Sequence, residues 1–505
     1  MGARDPEKTA VRFEGRPVTY GRFWEAVRLH AGALADLGVR PGDRVALQLS
    51  KRLDFLYLHL GVLSLGAITL PLNADYKPEE VEYFLRDSES ALFVSDPERL
   101  HRAEAVLRGL PGTKPVCVDP EGPSWAQPLP AALGRVPGSF RPEYPAGDDD
   151  VAVICYTSGT TGRSKGAMIT HRNLVANLLD LHEIWRWSES DVLLHVLPLF
   201  HVHGLMVAAQ GALHAGATLA MHERFDPARA WDAIEADRCT VLMAVPTIYQ
   251  RLMAEWDRRP RKPDLSTMRV FLSGSAPLSE NLFRRFEAAT GHRILERYGM
   301  TEAGMIASNP YEPERRIPGS VGYPLPSVAI RVCDDQGRDV PPGQIGEVWV
   351  QGPNVFKGYW RMPEKTREAL VEGWLRSGDL GYQAPGDGGR LYLKGRAKEL
   401  IITGGYNVYP KEVELVLETH PAVRECAVVG VPDEEFGERV TAVVVPKPDV
   451  PPPAPEELIA LCKAKLAGYK CPKRVFLAEE LPRNAMGKVQ KNRLVERYGD
   501  SGSQT

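Results

Sequence analysis

Residues 156–166 read Tyr156-Thr-Ser-Gly-Thr-Thr-Gly-Arg-Ser-Lys165-Gly166 and follow an apolar run, Val151–Cys155, that reads as a buried strand. Apart from the tyrosine, every residue of the stretch is a hydroxyl, a glycine or a cation. Such a loop offers bare backbone N–H groups, hydroxyls and positive charge to a polyphosphate. It departs from the common nucleotide loop G-x-x-x-x-G-K-[ST], because Gly166 follows Lys165 and leaves no hydroxyl there to hold magnesium. A flexible Gly/Ser surface loop is the alternative, and the strand before it argues against that.

Around this loop the chain has 505 residues, which suits about two to four packed units rather than one core. Hydrophobic content of 43% and charged content of 25% describe an ordinary globular protein. A net charge of −3 gives no general attraction for nucleic acid or anionic membrane, so an anionic ligand must meet local positive charge. Arg258, Arg259, Arg261 and Lys262 form such a cluster, as a solvated loop or as a docking patch. Seven dispersed cysteines without a C-x-x-C pair predict reduced thiols and a cytoplasmic protein. The N-terminus has no apolar h-region, and the C-terminus carries no peroxisomal tripeptide. The apolar stretch Leu193–Met221 is interrupted by His195, Pro198, His201, His203 and His214, so no membrane span is expected.

From Val11 to about Gly395, helical stretches such as Tyr20–Leu37 and Asp54–Ser64 alternate with short strand-like runs such as Arg44–Leu49 and Ile68–Leu72. A helix over Asn173–Ile184 is predicted to start directly after the phosphate loop. Between Val328 and Gln351 the alternation becomes strand-like, with turns at Gln336-Gly337 and Pro342-Gly343. After Gly395-Arg396 the pattern resets into strands and helices enough for an α+β unit of about a hundred residues. The fold class expected is α/β: a large N-terminal domain, 1–395, with layered sheets and a small antiparallel β subdomain, then a small mobile α+β domain, 396–505.

Four further segments, in order, complete a resemblance that covers almost the whole chain. They are Leu272-Ser-Gly-Ser-Ala-Pro277, Glu296-Arg-Tyr-Gly-Met-Thr-Glu302, Trp374-Leu-Arg-Ser-Gly-Asp379 and Pro482-Arg-Asn-Ala-Met-Gly-Lys488. With the phosphate loop they resemble the acyl-adenylate-forming enzymes: acyl-CoA synthetases, luciferases and the adenylation domains of peptide synthetases. The resemblance implies ATP, Mg²⁺ and coenzyme A as cofactors, and a carboxylic acid as substrate. Thr157, Ser158, Gly159, Thr160, Thr161 and Lys165 would hold the β- and γ-phosphates. Gly274, Ser275 and Ala276 would present backbone to the adenine and Tyr298 would flank it. Thr301 would contact the α-phosphate, and Glu302 would hold Mg²⁺, the arrangement expected of a hard cation bound by a carboxylate and phosphate oxygens. Asp379 would clamp the ribose with help from Arg396.

The same resemblance implies two half-reactions. The acid carboxylate attacks the α-phosphate, pyrophosphate leaves, and Lys488 offsets the charge that builds up. The small domain then swings about Lys398, and Gly404 and Gly405 line a channel for the pantetheine thiol, where a side chain would block the arm.

The acid is a local question. Pro198-Leu-Phe-His-Val-His-Gly204 resembles the family's pocket segment and puts His201 beside the substrate carboxylate; a packed strand-end histidine is the plainer reading. Arg297 precedes Tyr298 on the side expected to face the acyl pocket. It would be a poor lining for a fatty tail and a good partner for a second carboxylate. Arg251 is a possible second partner. The combination resembles the malonyl-CoA synthetases, unless Arg297 pairs internally with Glu296 or Glu302 and the acid is a fatty or aryl monocarboxylate. A stand-alone module loading a carrier protein is a rival from another class. A monomer or homodimer is expected, without nucleic acid or membrane association.

Overall fold

The computed structural model describes residues 5–157, 164–433, 435–484 and 487–499. Two large sheets make the body. A nine-stranded sheet is centred on Val192–His195, flanked in parallel by Thr218–Met221 and Val241–Ala244, then by Val270–Ser273 and Leu295–Met300. These central strands are buried on both faces, which is why they read as short continuous apolar runs rather than alternating ones. The sheet continues through an antiparallel hairpin, Leu295–Met300 with Gly304–Ser308. An eight-stranded sheet holds Arg44–Gln48 between Ile68–Pro71 and Leu92–Ser95 in parallel, and extends through Ile68–Pro71 to Val151–Thr157.

One expectation needs correction at the phosphate loop. The strand Val151–Thr157 pairs antiparallel with a second strand, Lys165–Thr170, and only then does the helix His171–Ile184 begin. The segment after the loop is therefore a partner strand to the one before it, and the helix follows that second strand. Gly166-Ala-Met-Ile-Thr170 is short and apolar enough to pair as a strand. Thr170 then starts the helix with a reciprocal cap: its hydroxyl accepts from the Asn173 N–H at 3.2 Å, and Asn173 Oδ1 accepts from the Thr170 N–H at 2.8 Å.

The antiparallel subdomain is built from Ala329–Cys333, Gly346–Gln351 and Trp374–Gln383, with Leu391–Arg396 pairing the last of these. That final pairing sets Asp379 opposite Arg396.

The chain after residue 400 has cores of its own. The long hairpin Val423–Asp433 with Gly437–Pro446 turns Val428, Val440, Ala442 and Val444 to one face, against Val413, Leu417, Leu458 and Cys462. Ala427, Val429, Val431, Val443 and Val445 face the other side, against Leu481 and Leu494 of the last helix. Covering both faces explains the valine-rich reading, each fully buried side chain contributing roughly 1.5–3 kcal/mol. The loop before Lys488 reaches the large body: a Cβ on Gly487 (φ +74) would lie 2.7 Å from Thr247 Oγ1, in the first turn of the helix Pro246–Arg258. No helix among the described residues is long and apolar enough to cross a membrane.

Candidate functional site

Four structural elements meet at the C-terminal ends of the central strands. The first group is Tyr298, Asp379 and Arg396. The Tyr298 hydroxyl donates to Asp379 Oδ2, while Arg396 Nε lies 2.7 Å from Oδ1. Arg396 Nη1 also donates to the Ser377 carbonyl at 3.1 Å, and the Asp379 N–H donates to Ser377 Oγ at 3.0 Å. Burial raises the Asp379 carboxyl above its ordinary value, against the opposing pull of Arg396, Tyr298 and Lys488. Strand register alone delivers Asp379 and Arg396 to each other.

Lys488 enters this group from the small C-terminal unit. Its ammonium is pushed below the ordinary lysine value, first by burial and next by Arg396, and is pulled back by Glu399 and Asp379. Asn484 fixes the loop: its Oδ1 accepts the Lys488 N–H and its own N–H donates to the Lys488 carbonyl, both at 2.9 Å. Arg483 donates to the Gly487 carbonyl at 2.6 Å and is itself paired with Glu425.

A third group lies at the base of the phosphate hairpin. Glu302, buried in the turn of the hairpin that carries Tyr298, accepts a 2.9 Å hydrogen bond from the Tyr359 hydroxyl at Oε1. Lys165 Nζ sits 4.0 Å from the centre of the Tyr359 ring. Burial lowers the Lys165 ammonium and Glu302 pulls it back up. Thr157 Oγ1 donates to the Lys165 carbonyl at 3.4 Å. Thr301 is half-buried beside Asn173, Asn177 and Asn354 around one cavity.

The fourth group behaves differently. Arg297 is 2% exposed, and none of its three guanidinium nitrogens has a hydrogen-bond partner among the described residues. Its head lies on Gly274, where an added Cβ would fall 2.4 Å from Nη1, so only glycine leaves room for it. Burial pushes the guanidinium down to about 9. Ser275, next in the chain and in the left-handed region at φ +67, places Oγ 3.2 Å from His203 Nδ1. His203 Nε2 is buried and unpartnered. Burial, and then the Arg297 charge, lowers His201 to about 4 and lowers His203 well below the ordinary histidine value. Pleating sends Glu296 to the other side of its strand, where Oε1 accepts from the Leu278 N–H at 3.1 Å. Its carboxyl is pushed up to about 8 by burial. Neither Glu296 nor Glu302 pairs with Arg297.

Comparison with known proteins places this geometry. The AMP-binding enzyme family model matches residues 2–360, and that of the AMP-binding enzyme C-terminal domain matches 412–488. This chain belongs to the AMP-binding enzyme family. Feruloyl-CoA synthase from Amycolatopsis is 37% identical over 496 residues, covering 98% of this chain and 96% of its own. The mitochondrial malonate–CoA ligase of Mus musculus is 37% identical over 514 residues, covering 95% of this chain and 85% of its own. The crystal structure of ATP-bound MatB from Rhodopseudomonas palustris is 42% identical, with a TM-score of 0.92 over 99% of this chain and 97% of that one. Apo MatB, at the same identity and coverage, superposes at 0.81. The arrangement described here is thus closer to the ATP-bound form.

Within this AMP-binding enzyme the structure gathers Tyr298, Asp379, Arg396 and Lys488, and separately Thr157, Lys165 and Glu302. It gathers Gly274, Ser275, His201 and Arg297 in a further group. Ala276 follows Ser275 in the same loop. Ser158, Gly159, Thr160 and Thr161 lie outside the described residues. Arg251 is a correction: two residues past buried Tyr249 on the same helix, it faces solvent with its guanidinium 4.8 Å from the Phe225 ring centre. A step of two residues turns a helix by about 200°, so the same helix cannot present both side chains to the pocket. Gly404 (φ +56) and Gly405 (φ +80) form the two-residue turn between Ile401–Thr403 and Tyr406–Val408, a turn that glycine suits. Its neighbours Ile402 and Tyr406 are more than half exposed, so this turn lies at the surface. Lys398 lies exposed in the short 3-10 turn Ala397–Glu399. Sequence reading missed Tyr359 and Thr247, which carry no motif of their own, and left Ser377 unassigned inside Trp374–Asp379. It quoted His203 without assigning it; two histidines flanking one valine were the available signal.

Proposed function

We propose that this AMP-forming acid–CoA ligase activates malonate or a similarly short dicarboxylate, using ATP to make the acyl-adenylate and CoA to release the thioester. The observation that carries the reading is Arg297, buried with all three nitrogens unpartnered. An unpaired buried charge costs several kcal/mol, and a second substrate carboxylate offsets that cost with bidentate hydrogen bonds. His203 Nε2 adds a polar atom on the same side; a Ser275 hydroxyl donating to Nδ1 leaves Nε2 as the N–H donor. A fatty tail finds nothing there to satisfy those groups.

The remaining roles follow the same reading. Asp379 and Arg396 hold the ribose, Tyr298 and the Gly274–Ala276 loop hold the adenine, and Thr157, Lys165 and Thr301 hold phosphates. Lys488 bridges the acid carboxylate and the α-phosphate. Glu302 suits Mg²⁺: it is a buried carboxylate whose Oε1 is steadied by Tyr359 and whose Oε2 has no hydrogen bond among the described residues. One protein carboxylate with phosphate oxygens is the usual magnesium set, and the ion would supply charge neutralisation at the phosphates. Residues 396–505 turn as a unit about Lys398 between half-reactions, and Gly404 and Gly405 then line the thiol channel. A cytoplasmic monomer or homodimer completes the proposal, with seven buried cysteines outside any disulfide in support of the location.

The test is AMP release with CoA and MgATP across malonate, methylmalonate, acetate, butyrate, octanoate and benzoate. Malonate preferred by a wide margin supports the dicarboxylate pocket. Preference for octanoate or benzoate keeps the ligase chemistry and makes Arg297 structural.

A further inference from the structure

Lys491 opens the last helix, Lys491–Gly499, three residues beyond Lys488. Its ammonium lies 2.8 Å from Glu414 Oε1 and 3.5 Å from Glu399 Oε2. Glu414 is buried on the helix Pro410–Leu417, and its Oε1 also accepts the Val428 N–H at 3.0 Å. Glu399 ends the turn that begins after Arg396, one residue past Lys398. The charges that bear on Lys488 are Arg396 and Lys491, which repel it, and Glu399 and Asp379, which attract it. Glu399 is therefore paired with Lys491 at the root of the last helix and acts at longer range on Lys488 in the loop before it.

That pairing has a chemical consequence. Left to Lys488 alone, the Glu399 carboxylate would form a closed ion pair with it. The ammonium would then be held away from the point where the acid carboxylate meets the α-phosphate. Sealing this corner needs only apolar side chains, because well-packed apolar residues often replace buried ion pairs without loss. The chain instead buries a cation between two carboxylates.

We propose that Lys491 is a positioning residue for acyl-adenylate formation: by occupying Glu399 it prevents that carboxylate from capturing Lys488. The inference rests on the adenylation role of Lys488. It assigns no contact between Lys491 and substrate. Glu414 does not depend on Lys491 alone, since Lys411 acts on it electrostatically and the Val428 N–H bonds it. Lys411 is in turn 3.3 Å from Glu418.

The test uses the full-length enzyme and the acid it prefers, with Lys491→Met, Glu399→Gln and the double variant. Acid-dependent pyrophosphate exchange reads adenylation; thioester formation from supplied acyl-adenylate and CoA reads the second step. Lys491→Met is expected to slow exchange by about tenfold and leave the second step within about twofold, the double variant recovering to within about threefold of native. Equal loss in both steps, or no recovery in the double variant, overturns the proposal and makes Lys491 a structural residue. Should Lys491→Met fail to fold, Glu399→Gln decides: the proposal requires exchange no slower than native, and a tenfold loss refutes it. A native enzyme that exchanges pyrophosphate with no acid in the panel refutes the functional reading instead.

Discussion

The two halves of the site satisfy their polar groups in opposite ways. On the side proposed for the nucleotide the groups pair among themselves: Tyr298 and Arg396 both engage Asp379, and Tyr359 engages Glu302. On the side proposed for the acid, Arg297 and His203 Nε2 are buried with no hydrogen-bond partner among the described residues. A site closed on itself exchanges internal hydrogen bonds for ligand ones at little net cost. An open one is completed only by a ligand of matching charge, and it selects strongly against ligands that lack it. Under the proposed function the nucleotide half is thus generic and the acid half is the source of specificity.

Ways to break that comparison run from large effects to small. Lys488→Ala should lower adenylation by about a thousandfold or more, the scale of removing a charge-stabilising donor, and spare thioester formation from supplied acyl-adenylate. Equal loss in both half-reactions would contradict the assignment. Stability measurements should split the two halves by sign. Asp379→Ala strands Arg396 and the Tyr298 hydroxyl and should lower the unfolding free energy by about 3 kcal/mol. Arg297→Met removes an unpaired buried charge and should raise it by about 1–4 kcal/mol. Denaturant unfolding of both variants without ligand checks the pair, and a loss at both positions would show that Arg297 has an internal partner.

The pH dependence gives a finer test. Arg297 has its value lowered to about 9, so it is a cation below that pH and increasingly neutral above it. The ratio of kcat/KM for malonate to that for propionate should therefore be high and flat below pH 9 and fall above it. Lys488 is also lowered but serves both acids, so its titration cancels in the ratio. A ratio that stays flat through pH 10 would show that Arg297 keeps its charge there.

The parts of this molecule that sequence made legible are those set by local pattern. The apolar runs Val241–Ala244 and Thr218–Met221 are buried on both faces and announce parallel strands. Arg297 was legible because a cation beside an adenine-flanking tyrosine is out of place in an apolar pocket. What remained hidden depends on register and packing. The hairpin at Lys165–Thr170 was masked by its short, glycine-containing strand. Arg251 was misplaced because helical phase, which sets the face a side chain takes, turns it to solvent. Tyr359 and Glu399 act across more than fifty residues of chain, on Glu302 and Lys491 respectively, and nothing local marks either one.

The most direct measurement is steady-state AMP formation with malonate and with propionate, for the native enzyme and Arg297→Met. The two acids differ by a carboxylate in place of a methyl group. The account predicts a native preference for malonate of about a thousandfold or more, collapsing to within about tenfold in the variant chiefly through loss of malonate activity. A native enzyme indifferent to the second carboxylate, or a variant that keeps the full preference, would contradict it.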